Sequence, residues 1–159
     1  MDPLDRLLAL REIDDLIGRY CMLFDDQQWD EFAELWTDDA AFVVDGVAFE
    51  GREVMLEFLR TCLPEGYQSK HMISPPVVEL ADDGMRATAK TDVVWIAQNF
   101  ENAIVARYDD ELVRGADGWR IRRRAETALR HQPGPPPMSD DALRVSSATM
   151  RRASDQATG

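Results

Sequence analysis

His71 is one of two histidines in a chain of 159 residues. An imidazole is the side chain best suited to take and return a proton near neutral pH, because an unperturbed histidine titrates at roughly 6.5. A carboxylate that accepts from one ring nitrogen sets the tautomer and leaves the other nitrogen free to act as base. Tyr20 and Asp25 sit in an amphipathic N-terminal stretch, so the sequence offers a candidate Asp25–His71 proton-transfer pair with a tyrosine close by in the chain. The other histidine, His131, stands next to a proline run and reads as loop. With no HxxxH or HxH spacing, the two make a poor ligand set, so no metal and no cofactor is expected.

The pair can meet only if the first helix packs against the segment that carries His71. Leu4, Leu7, Leu8, Ile13, Leu16, Ile17, Tyr20, Leu23 and Phe24 recur at helical steps, with charged residues between them. Asp25-Asp26-Gln27-Gln28 breaks that period, and Trp29, Phe32, Ala33, Leu35 and Trp36 restart it, which predicts a second helix ending at Thr37-Asp38-Asp39. Residues 40–44 and 47–49 flank Asp45-Gly46, a strong hairpin signal. A third helix is predicted over 53–62 and closed by Pro64 and Gly66. Strands are then predicted at 71–74, 77–80, 86–98, 103–114 and 119–129, separated by turn residues, as a long antiparallel meander.

Beyond residue 130 the composition changes. Pro133-Gly134-Pro135-Pro136-Pro137 cannot join a central strand or a helix interior. The expected organisation is one α+β domain over 1–131 and a Pro-rich extension over 132–159, mobile in part, with one short helix at 142–150. The 18 Lys and Arg against 30 Asp and Glu leave a net charge of −12, which repels phosphate backbones and anionic surfaces. Nucleic acid and membrane are therefore not expected as partners. No long apolar run and no basic-then-apolar leader is seen, so a cytoplasmic protein is expected. Cys21 and Cys62 form no CxxC and are expected as small buried hydrophobes.

Several segments together carry a family likeness. They are Ile13-Asp14-Asp15-Leu16-Ile17-Gly18-Arg19-Tyr20 with Asp25, Phe32-Ala33-Glu34-Leu35-Trp36-Thr37-Asp38-Asp39-Ala40, and Phe49-Glu50-Gly51-Arg52. His71 follows, then Arg107-Tyr108-Asp109-Asp110-Glu111-Leu112-Val113-Arg114 and Asp117-Gly118-Trp119-Arg120-Ile121. In this order they resemble the SnoaL-like branch of the nuclear-transport-factor-2-like superfamily over roughly residues 5–130. That superfamily includes scytalone dehydratase, bile-acid 7α-dehydratase, hexachlorocyclohexane dehydrochlorinase and ketosteroid isomerase. The resemblance implies a cystatin-like α+β barrel, a cone-shaped curved antiparallel sheet wrapped around the N-terminal helices. It implies a catalytic set of His71, Asp25 and Tyr20, with Asp92 as a pocket carboxylate and Arg124 as a cavity arginine. No second histidine occurs on strand 86–98, which favours a single-histidine site.

The chemistry implied is elimination: His71 as base, Asp25 as the group that orients it, Tyr20 as hydroxyl donor, and Asp92 or Arg124 to position substrate. The same residue types also suit structural roles. Asp25 fits a turn or cap, Tyr20 fits core packing, Asp92 fits a solvent-facing strand position, and Arg122 to Arg124 fit a solvated strand face. The expected lining is apolar and aromatic, with Trp36, Phe58 and Trp95 as substrate contacts beside Phe24, Phe42, Met55, Met72 and Phe100, and it suits a small hydrophobic ring compound. Three functions remain open on the sequence: a cofactor-independent lyase of dehydratase type, an isomerase or cyclase with the same base, and a non-catalytic binding protein. Apolar residues at both parities in Val93-Val94-Trp95-Ile96 predict a homo-oligomer through the outer sheet face, a trimer by resemblance with a dimer next.

Overall fold

Asp2 caps the first helix, its Oδ1 accepting from the backbone N–H of Leu4 at 2.7 Å and of Asp5 at 3.0 Å. Pro3 occupies the first turn, where a missing N–H costs no hydrogen bond. In the computed structural model, which describes residues 1–63, 65–98 and 103–129, α1 spans Pro3–Asp25. Its apolar stripe is buried from Ala9 onward, through Ile13, Leu16, Ile17, Tyr20 and Phe24, while Leu4, Leu7 and Leu8 stay exposed. The remaining elements are α2 (Trp29–Ala33), β1 (Trp36–Val44), β2 (Val47–Glu50), α3 (Arg52–Cys62), β3 (Ser69–Ile73), β4 (Val77–Leu80), β5 (Arg86–Ala97), β6 (Ala103–Gly115) and β7 (Gly118–Ala128). Pro64, Phe100, His131, the proline run and the helix expected at 142–150 lie outside the described residues.

The strands form a seven-stranded sheet in the order β2-β1-β7-β6-β5-β3, with β4 paired to β5 beyond the end of β3. Asp45 and Gly46 take φ of +49° and +80°, as the tight two-residue turn of the β1–β2 hairpin requires. Two features differ from the sequence expectation. The second helix ends at Ala33, and the strand begins at Trp36 rather than at Ala40. Pairing overrides helical periodicity here: Trp36 aligns with Ile121, the backbone N–H of Ile121 donates to the Leu35 carbonyl at 2.8 Å, and a register shift before Ala41 absorbs the intervening acidic residues. In addition, β1 and β7 run parallel. A strand so distant in the chain is under no hairpin constraint, so the sheet is mixed at this one junction.

The sheet curves, unclosed, around α1, and the fully buried Ile13, Ile17, Phe32, Trp36, Met55, Leu112 and Ile121 fill the space between. One ion pair lies within this core. Arg124 on β7 stands opposite Asp110 on β6, and Nε and Nη2 each donate to the facing carboxylate at 2.7 Å. Both side chains are fully buried. The guanidinium carbon sits 3.9 Å from the Tyr20 ring centre and 4.1 Å from that of Tyr108. Burial works against the arginine charge, but Asp110 and the two rings more than offset it and hold the guanidinium charged.

Removing one partner of such a pair strands a buried charge. Asp110→Ala is therefore expected to lower the unfolding free energy by about 3–5 kcal/mol. Urea denaturation of the variant against wild type measures it, and a loss below about 1 kcal/mol would mean that the pair is dispensable.

Candidate active site

Asp25 is the last residue of α1 and is only 5% exposed. A carboxylate in that position needs donors, and β3 supplies them. Oδ1 accepts from Ser69 Oγ at 2.8 Å and lies 2.7 Å from His71 Nδ1, while Oδ2 accepts from the His71 backbone N–H at 2.8 Å. Lys70 Nζ lies 3.9 Å from Oδ2, but its side chain is 66% exposed and contributes little. Burial opposes ionisation of Asp25, yet the hydrogen bonds and charge of His71 and the Ser69 hydroxyl outweigh it and hold the carboxyl below the ordinary aspartate range. Gln27 and the chain before β3 reinforce the junction: Gln27 Nε2 donates to the Tyr67 carbonyl at 2.9 Å, and the Gly66 N–H donates to Gln27 Oε1 at 3.3 Å.

The His71 side chain is 3% exposed. Its ring stands edge-on to Phe24 and Tyr20, with centres 5.3 and 6.0 Å apart. With an ionised Asp25 as acceptor, Nδ1 carries the hydrogen and Nε2 is left as a lone-pair acceptor, with no hydrogen bond to any described residue. The ring borders a cavity of about 230 Å³ whose wall is mostly apolar: Phe24, Phe42, Val44, Phe58, Leu59, Val93, Trp95, Ile104 and Ala106. Tyr20, Tyr108, Cys62 and Glu126 complete it. An imidazole held in one tautomer against a largely apolar wall can accept a proton from carbon. Among the described residues, no group of three or more His, Cys, Asp or Glu side chains converges as a metal ion would require.

Of the residues singled out from sequence, Asp25 and His71 meet, and Tyr20, Phe58 and Trp95 line the cavity with His71. Asp92, Arg124, Trp36, Met55 and Met72 do not line it. Asp92 is on the convex face, its side chain 59% exposed and paired with Arg107 at 2.7 Å, because its parity on β5 is opposite to that of Val93 and Trp95. Arg124 lies beneath the lining, its charge committed to Asp110. Trp36 is wholly buried behind the wall, its ring centre 5.9 Å from that of Tyr20 and 6.5 Å from that of Phe42. Met55 is likewise core, and Met72 is 61% exposed. Cys21 is buried as expected, but Cys62 is exposed, at the cavity edge. Ser69 and Glu126 are site residues that the sequence reading does not single out, and Tyr108 enters it only within the family likeness. The signal for the first two is the period of two, by which Ser69 shares a face with His71, and Glu126 shares one with Arg124.

A SnoaL-like domain model matches residues 5–125. The chain belongs to the SnoaL-like domain family. No curated protein matches its sequence. Among solved structures, this SnoaL-like chain is similar to an NTF2-like protein with a cystatin-like fold from Novosphingobium aromaticivorans, at 26% identity and a TM-score of 0.69, over 82% of this chain and 88% of that one. It is similar to the type 2 hexachlorocyclohexane dehydrochlorinase LinA, at 23% identity and a TM-score of 0.68, over 87% of this chain and 100% of that one. A third is a protein provisionally assigned as a scytalone dehydratase from Novosphingobium aromaticivorans, at 17% identity and a TM-score of 0.70, over 85% and 96%. The α+β architecture with a curved sheet is thus that of the family.

Because the folded Asp25 carboxyl ionises more readily than a free aspartate, for which the value is about 3.9, the junction adds stability above that pH. The contribution is lost as pH falls through the lower folded value. Asp25→Asn is expected to make stability less steep on the acid side, as read by urea midpoints at stepped pH. An unchanged acid slope would show that the carboxylate adds nothing to folding.

Proposed function

We propose that this SnoaL-like protein is a cofactor-independent lyase, performing a dehydratase-type elimination on a small hydrophobic ring compound. The observation that carries the reading is the 2.7 Å contact of Asp25 with His71 Nδ1, which leaves Nε2 unpaired among the described residues on a ring that borders a mostly apolar cavity. His71 Nε2 takes the proton from the substrate carbon, and Asp25 holds the tautomer and balances the imidazolium that forms. Tyr20 offers its hydroxyl as a hydrogen-bond donor; burial holds that phenol above its ordinary range, and the nearby Arg124 relieves this only in part. The names of two structurally similar proteins, a dehydrochlorinase and a protein assigned as a dehydratase, support elimination as the reaction class. The cavity, at about 230 Å³, is below the range of roughly 300–1,000 Å³ for drug-sized ligands, which suits one or two rings.

5-Nitrobenzisoxazole is a suitable first probe, because its ring opens once a base removes its single acidic C–H. Wild type is expected to accelerate the opening, and His71→Ala and Asp25→Asn are each expected to lower kcat/KM by at least about 10²-fold. Tyr20→Phe should cost less, since the ring and its packing remain. Wild-type turnover in the His71 variant would sink the reading.

A homo-oligomer is part of the same proposal, a trimer first and a dimer next. Of the four apolar residues 93 to 96, Val93 and Trp95 line the cavity, so only Val94 and Ile96 face outward. Met72, Val94, Val105 and Leu129 form a cross-strand row on the convex face, with Met72, Val105 and Leu129 at 61%, 44% and 69% exposure. An apolar row of this kind is a surface that association would cover. Sedimentation is expected to give a multiple of 18.0 kDa, and Val105→Glu is expected to return the monomer. A wild-type monomer at micromolar concentration would rule the assembly out.

A further inference from the structure

Glu126 is the acidic side chain that the proposed chemistry leaves unused. It lies on β7 opposite Tyr108 and borders the same cavity as His71, whose strand is separated from β7 by β6 and β5. Most of the wall around it is apolar. Among the described residues its carboxyl makes no hydrogen bond and no ion pair. Arg124, two positions away on the same strand face, gives Nε and Nη2 to Asp110 and is stacked between two tyrosine rings, and its buried Nη1 makes no hydrogen bond to Glu126 or to any other described residue. A half-buried acid without a protein partner must be satisfied by water or by a ligand.

We infer that Glu126 is a specificity residue, which receives a hydroxyl group of the ligand and so restricts the cavity to hydroxylated ring compounds. The assignment rests on the proposed function for the reaction that follows, but the binding claim stands on the cavity alone. The physical asymmetry is strong. A ligand hydroxyl donates to the carboxyl, whereas a purely apolar ligand of the same shape displaces water from it and leaves it unpaired. Burial already holds the Glu126 carboxyl above the usual carboxylate range, with partial relief from His71 and Arg124 and a further upward push from Asp45. A carboxyl so placed also disfavours anionic ligands. Within the elimination reading, His71 Nε2 takes the proton on carbon, the C–O bond of a neighbouring substituent breaks as the C=C bond forms, and Tyr20 gives its proton to the departing oxygen. The hydroxyl that donates to Glu126 therefore positions the ring and is not the group that leaves.

The test compares 2-indanol with indane, which share one ring system and differ by one hydroxyl, with binding followed through quenching of tryptophan fluorescence, since Trp95 lines the cavity. Wild type is expected to bind 2-indanol at least about tenfold tighter than indane, the scale of a hydrogen bond to a charged group. Glu126→Gln, a neutral acceptor, should keep part of that preference, and Glu126→Leu should abolish or reverse it. Equal affinities in wild type, binding of neither compound, or a Leu variant that still prefers the alcohol would each overturn the inference. None of these depends on turnover, so loss of 5-nitrobenzisoxazole opening in the His71 variant continues to test the base independently. Circular dichroism of the Leu variant, backed by the milder Gln variant, separates loss of the contact from loss of the fold.

Discussion

A buried carboxylate at the end of a helix has to be met by donors, and the way Asp25 is met organises this molecule. The last turn of α1 ends on a charge that water barely reaches, and the backbone N–H of His71, its ring and the Ser69 hydroxyl converge on it. One group thereby joins the helix to a strand forty-four and more residues away. The same bonds that lock the junction also orient the imidazole, so folding and orientation of the ring are one event. An imidazole fastened by a single side-chain contact could turn about its bonds; here the carboxylate grips the backbone as well, which fixes the strand and the ring together.

A second buried charge, Arg124, does different work. Its fork is closed by Asp110 and its faces by Tyr20 and Tyr108. This takes the cation out of the cavity and turns it into a support for two of the cavity's own side chains. Tyr20 is thus held from both sides, by the guanidinium beneath and by the rings of His71, Phe32 and Trp36 around it. The consequence for the cavity is that its polar groups are few and separate: an imidazole, two phenols and one carboxyl on an otherwise apolar wall. Polar groups this few carry more discrimination than they would in a solvated cleft.

Strand parity divides the sheet into two surfaces with distinct tasks. Along β5, Val93 and Trp95 face the cavity while Asp92, Val94 and Ile96 face away. Asp92 is accordingly a surface ion-pair residue, and the outward apolar row beside it belongs to the convex face. A shift of one residue in the pairing of β5 with β6 would exchange the two sets, so the register that places Trp95 at the cavity also decides what the outside of the protein presents.

Much of this was legible in the residues alone. The helical period of α1, its break at Asp25, the Asp45-Gly46 hairpin and the long strands are local patterns, and local patterns follow from side-chain spacing and turn chemistry. The pairing of Asp25 with His71 was an expectation drawn from likeness, and its geometry depends on a long-range packing that spacing does not encode. Other features had no local signal at all. The early start of β1 comes from its alignment with β7, whose residues lie some eighty positions later. Whether Arg124 enters the cavity or sits beneath it depends on Asp110 across the strand pair, and whether Glu126 is solvated or faces a ligand depends on how far the sheet curves. Sequence determines which residues share a face, since that is a property of the backbone repeat. Which face is inside, and which charge finds a partner there, is decided only when distant strands pair and close around the helix.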